Sequence, residues 1–185
     1  MKINSLVFLI LLSCAGVYAA ISRESNSDIT TRDQFVGERQ YDINFQIERE
    51  TAAQHSLWIV MKLYHNSHYV SPHAKRDFSG KFQVSLDDNP YVALDSNFLE
   101  TPRSIEEYDP HPFVNGTVNW VRENTRYKYP LHLLSSEDFE VNGMVRFVIE
   151  PNCTMEEIRF VIYQEDGILK VENKTIQKCH KPETK

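Results

Sequence analysis

The chain predicts an all-β fold, a single immunoglobulin-like antiparallel β-sandwich. Three observations predict it. Past residue 40, apolar and polar residues alternate in one short run after another. Turn dipeptides such as Asp166-Gly167 stand between the runs. No long stretch carries the period of about 3.6 residues that marks an amphipathic helix.

The elements follow in order. Tyr41, Ile43, Phe45 and Ile47 alternate with Asp42, Asn44, Gln46 and Glu48, the pattern of a strand with one wet face. Leu57 to Tyr64 is apolar on both faces and reads as a central strand. Phe82, Val84 and Leu86 form another, and Tyr91 to Leu94 a shorter one. Residues 96–112 carry Pro102, Pro110 and Pro112 among acidic residues. Proline removes ladder donors and restricts the backbone, so this segment reads as a long loop with room for one helical turn at Ser104–Tyr108. Loops of that length are often functional. Strands resume around Val118 and Trp120, then at Tyr127 to Leu133, Val145 to Ile149, Ile158 to Ile162, and Leu169 to Val171. Asn142-Gly143 and Asp166-Gly167 are expected to make tight hairpins, and Asn115-Gly116 another turn. About nine strands result, the number a sandwich of this class uses.

The start of the chain predicts export. Lys2 precedes the apolar run Leu6 to Leu12, and small residues follow. This is the layout of a secretory signal, and it falls short of the roughly 18 apolar residues that span a bilayer. Two readings of its end stand. Residues 1–19 form a signal peptide cut before Ala20, or residues 1–13 form a lipoprotein signal that leaves a lipidated Cys14. The first gives a soluble secreted or periplasmic protein, the second a lipid-anchored one, for instance at the outer membrane. Residues 20–40 are polar and without period, a flexible tether. The sandwich is expected over 41–175, with 176–185 as a C-terminal tail.

Either cleavage leaves Cys153 and Cys179 as the only cysteines able to pair. In an oxidising compartment the two are expected to form a disulfide, worth about 3.5 kcal/mol in the chain-entropy account. Net charge is −6, with only Lys2 charged in the first twenty residues. With no basic cluster, nucleic acid is not an expected partner. No transmembrane segment is expected.

Chemistry-bearing motifs are sparse. His65, His68 and His73 lie close in sequence, but their spacing matches no established metal site and they read as loop histidines. No metal and no cofactor are assigned. Glu106, Glu107 and Asp109 cluster in the proline-rich segment and form a candidate interaction loop. A glycosidase would need two such carboxyls facing one sugar ring, which sequence cannot arrange. No nucleophile elbow, phosphate loop or paired-cysteine motif occurs, so no catalytic residue is named. Asn115 and Asn173 head the better N-glycosylation triplets, and Asn152 heads a third. Trp58, Trp120, Tyr127 and Tyr129 read as sandwich core rather than ligand groove.

Three stretches carry a family resemblance. Leu57-Trp58-Ile59-Val60 leads to His68-Tyr69-Val70-Ser71-Pro72; Asp138 to Gly143 follows, and then Val145 to Cys153. Together they resemble the N-terminal periplasmic domain of the DsbD family of bacterial thiol–disulfide interchange proteins. The resemblance implies an immunoglobulin-like sandwich in the bacterial envelope. It also implies electron transfer through two neighbouring cysteines. Here Cys153 falls near the expected region and Cys179 lies beyond the last strand, so the fold and compartment carry over and the chemistry does not.

The expectation is an exported, non-catalytic β-sandwich that binds a protein or a glycan in the cell envelope or secretome. The alternative is a thiol–disulfide exchange partner that uses Cys153 and Cys179.

Overall fold

Alternation in the chain builds antiparallel strands whose inward rows meet. The structure, a computed structural model, describes residues 39–51 and 54–175. The strands are β1 (Tyr41–Arg49), β2 (His55–Leu63), β3 (Tyr69–Val70), β4 (Gln83–Leu86), β5 (Val92–Leu94), β6 (Leu99–Thr101), β7 (Glu106–Asp109), β8 (Gly116–Val121), β9 (Thr125–Leu133), β10 (Phe139–Ile149), β11 (Thr154–Glu165) and β12 (Ile168–Asn173). No helix occurs among the described residues.

One sheet runs β1-β2-β9-β5, and β6 also pairs with β9. Strands β5 and β6 therefore act as two halves of one broken strand, with Val92 opposite Leu133 and Thr101 opposite Arg126. The facing sheet runs β12-β11-β10-β4. A third, small sheet runs β3-β8-β7. Every pairing between named strands is antiparallel. The fold is an immunoglobulin-like β-sandwich.

The inward rows form the core. Leu57, Ile59 and Met61 from β2 and Tyr127, Tyr129 and Leu131 from β9 meet Val145, Phe147 and Ile149 from β10 and Ile158, Phe160 and Ile162 from β11. Each large side chain closed off this way contributes roughly 1.5–3 kcal/mol. Aromatic pairs join the layers: Phe45 stacks on Phe160 with centroids 4.8 Å apart, and Tyr41 meets Phe147 edge-on at 5.1 Å. Phe82 packs between Tyr127 at 4.6 Å and Phe147 at 5.6 Å.

Two local expectations are corrected. Asn142-Gly143 is not a hairpin turn; it lies inside β10, with Gly143 opposite Phe160. Glycine is needed there for space, because a Cβ on Gly143 would stand 2.3 Å from Cζ of Phe160. Residues 96–112 are not one loop with a helical turn. They hold β6 and β7, and Pro102 and Pro110 each follow a strand end, where a missing N–H removes no ladder bond. This segment and the short β3 bring the strand number to twelve. The other turns hold: Asp166 and Gly167 adopt φ of 52° and 73° at the β11–β12 hairpin, and Asn115 adopts 39° before β8.

Candidate functional site

Strand alternation decides which side chains of β6 point inward. Leu99 is exposed while Glu100, between Leu99 and Thr101, is only 3% exposed. A buried carboxylate is costly unless hydrogen bonds replace its water. Four donors do so here. Ser71 Oγ donates to Oε2 at 3.1 Å, the Ser104 backbone N–H at 3.2 Å and Ser104 Oγ at 3.0 Å. Tyr127 Oη donates to Oε1 at 3.1 Å. Tyr69 Oη lies 3.0 Å from Tyr127 Oη. Since the Tyr127 proton is committed to Glu100, Tyr69 is the donor to Tyr127.

The surroundings keep these protons in place. Burial raises the Tyr127 hydroxyl pKa well above the ordinary value of 10.0, with Tyr69 and Glu100 adding to the effect. Burial likewise raises Tyr69. His73 Nε2 lies 3.9 Å from Glu100 Oε2, and its ring stacks on Phe98 at 4.5 Å. Burial lowers the His73 pKa, and the Glu100 charge opposes this in part. A general base must reach its substrate. The Glu100 side chain has no solvent exposure, so its role is to fasten β6, β9 and the Ser71 turn together.

Beyond this fastening the same segment reaches outward. Ile105, Tyr108 and Phe113 are 82%, 64% and 87% exposed. Strand β7 is the outer strand of the small sheet. Its acidic residues are engaged locally: Glu106 pairs with Lys75 at 3.0 Å and Glu107 with Arg122 at 2.8 Å. The Trp120 indole N–H donates to Asp109 Oδ2 at 3.0 Å. The Lys75 hydrogen bond lowers the Glu106 pKa, and the backbone N–H of His111 lowers that of Asp109. The three carboxylates proposed as a contact loop thus sit together on one edge strand, each already held.

Other concave surfaces lie among the described residues. A groove of about 570 Å³ opens along the edges of the two sheets and is lined by Lys81, Val84, Leu94, Phe98, Tyr129 and Arg146 among others. The outer face of the first sheet carries Trp58, whose indole N–H donates to Glu48 Oε2 at 2.7 Å and whose ring lies 5.4 Å from Lys128 Nζ.

The remaining sequence candidates fall as follows. Cys153 is exposed, with φ of 52°, in the turn between β10 and β11. Cys14 and Cys179 lie outside the described residues. Asn115 and Asn173 are both exposed; Asn115 Oδ1 accepts from Tyr108 Oη at 3.1 Å, and Asn173 Oδ1 from the Thr175 N–H at 2.9 Å. Each of the three histidines meets a different aromatic ring: His65 lies 6.5 Å from Tyr64, His68 meets Trp120 edge-on at 4.8 Å and His73 lies against Phe98. Among the described residues no three His, Cys, Asp or Glu side chains gather as metal ligands. Tyr127 and Tyr129 are core residues, whereas Trp58 and Trp120 are half-buried. Sequence reasoning missed the Glu100 cluster. Its only local sign is a carboxylate alternating with Leu99 and Thr101, and Leu99 would be the expected inward residue.

These features define a class, an all-β immunoglobulin-like sandwich with a polar fastening and an exposed edge strand. No protein-family model matches the chain. No curated protein matches it in sequence. Among solved structures it is similar to the N-terminal domain of DsbD from Neisseria meningitidis in the reduced form, at 6% identity and a TM-score of 0.43, covering 71% of this chain and 89% of that one. It is also similar to the GAE domain of GGA2p from Saccharomyces cerevisiae, at 13% identity and a TM-score of 0.37, covering 68% and 90%. A yeast GGA1 GAE domain follows at 10% identity and a TM-score of 0.36, covering 68% and 91%. No helix among the described residues is long and apolar enough to cross a membrane.

Proposed function

We propose that this chain is an exported, non-catalytic interaction module that binds another protein through residues 96–113. One observation carries the reading: a single segment is fastened at Glu100 and displays Ile105, Tyr108 and Phe113 to solvent. Large apolar side chains exposed within one short segment offer a partner apolar area to cover. The fastening reduces what ordering the segment would cost on binding. The buried Glu100, the locally engaged carboxylates of β7 and the closed core all favour binding over catalysis.

Export rests on the Lys2 to Ala20 segment, which lies outside the described residues. The intact mass of the mature protein tests it. A chain beginning at Ala20, or at a lipid-bearing Cys14, supports export; full-length protein retained in the cytosol refutes it.

The contact surface is tested with a photo-crosslinking residue at Phe113 and another at Ile168, an exposed position on β12. The expected result is a discrete adduct from Phe113 alone. It should weaken when Glu106, Glu107 and Asp109 are together replaced by Ala. Equal labelling from both sites, or an unchanged adduct in the triple variant, would count against this surface.

A further inference from the structure

We propose that the outer edge of β7 accepts an extended peptide in which basic and apolar residues alternate, so that the peptide joins the small sheet as a fourth strand. The proposal rests on the reading of 96–113 as the contact surface and specifies what that surface takes. The sheet order is β3-β8-β7, and among the described residues no strand pairs with β7 on its other side. An outer strand presents unpaired N–H and C=O groups, which an extended chain can satisfy by strand addition.

The edge is tied at both ends and along its length. Ser104 is bonded to the buried Glu100 before β7 begins. Asp109 accepts the His111 N–H at 2.8 Å where β7 ends. Along its length Glu106 is held by Lys75, Glu107 by Arg122 and Tyr108 by Asn115. Little ordering remains to be done on binding.

Side chains supply the selectivity. Successive residues of a strand point to opposite faces. Tyr108 lies within β7 and Ile105 just before it, and both are largely exposed. An added strand would meet Tyr108 along its length and Ile105 at its end. An edge protected only by charge would have no need of Ile105, Tyr108 and Phe113 in water.

Charge decides between occupants. A second copy of the chain is disfavoured. Antiparallel pairing of β7 with itself through this one edge brings residues of like parity together, so in every register centred on the strand Glu106, Glu107 or Asp109 meets its twin or Glu107 meets Asp109. Like charges directly opposite destabilise a strand pair. Lysine or arginine at those positions would instead meet carboxylates that retain free lone pairs.

The test uses the mature chain and two fluorescent eight-residue probes, one alternating Lys with Val and one alternating Glu with Val. Anisotropy reports binding, and amide hydrogen exchange reports its place. The Lys–Val peptide should bind at least about tenfold more tightly than the Glu–Val peptide, and less tightly at high salt. Amides of β7 should exchange about tenfold more slowly in the complex. If Phe113→Ser weakens Lys–Val binding while β7 amides exchange as in the free protein, strand addition is wrong and the contact surface survives. Failure of both peptides to bind, equal binding of both, or dimers that protect β7 overturn the proposal. The crosslinking result at Phe113 judges the contact surface independently of either peptide.

Discussion

Tyr127 Oη donates a 3.1 Å hydrogen bond to Glu100 Oε1 inside the sandwich, where neither side chain meets solvent. The bond crosses from β9 to β6, and the Ser71 and Ser104 hydroxyls complete the carboxylate's shell from other segments. Glu100→Ala would leave the Tyr127, Ser71 and Ser104 donors without their acceptor. We expect it to cost about 3 kcal/mol, measured by urea denaturation. Glu100→Gln should cost less, because an amide oxygen can still accept one side of the shell. A loss under about 0.5 kcal/mol in the alanine variant would mean that water replaces the carboxylate without penalty.

Gly143→Ala tests the close approach of β10 to Phe160. The added methyl would meet the ring at 2.3–2.8 Å, and Phe160 is fully buried. Overpacking of this kind costs about 1–3 kcal/mol. Phe160→Leu alone should destabilise, yet the double variant should lose less than the sum of the two single changes. Strict additivity in that cycle would contradict the contact.

One buried and one half-buried imidazole set the response to mild acid. Burial lowers the pKa of His73 and of His55 below the ordinary 6.5; Glu100 partly opposes this at His73, while Arg103 and Lys81 reinforce it there and Arg49 reinforces it at His55. The unfolded chain therefore takes up protons that the folded chain refuses. Stability from this source is full above the ordinary value and declines as the pH falls through the depressed folded values. The urea midpoint should fall between about pH 7 and pH 5. Replacing both histidines with Gln should flatten that slope. Glu50, held low by its Lys128 hydrogen bond, and Glu106, held low by Lys75, add a separate loss as the pH falls below their ordinary 4.5. An unchanged slope in the double histidine variant would reject the assignment.

The expected bridge between Cys153 and Cys179 has a direct readout. Protein collected from an oxidising compartment should resist alkylation at Cys153 until reduced, since the residue is exposed and would otherwise react. Cys153→Ser should then lower stability by about 3.5 kcal/mol. Free alkylation of that protein before reduction would exclude the bridge. A reduction potential well above about −300 mV would instead favour a labile, exchanging disulfide.

The class of fold was legible because strand patterning is local. Tyr41 to Glu48 alternates within eight residues of itself, and Asp166-Gly167 states its turn in two. Leu57 to Tyr64, apolar on both faces, likewise announced the central position of β2 between β1 and β9. Gly143 was misread because a glycine beside an asparagine has the same local appearance whether it serves a turn or makes room for a ring. Prolines in 96–112 hid two strands because Pro102 and Pro110 stand at strand ends, which composition does not distinguish from strand interiors.

By itself the sequence determined that strands form past residue 40. Only the tertiary structure decided that Glu100 turns inward while Leu99, Ile105 and Phe113 face water. The physical reason is distance along the chain. Glu100 meets Ser71 across 29 residues and Tyr127 across 27, and no periodic pattern records which donors will surround a carboxylate once the sheets close.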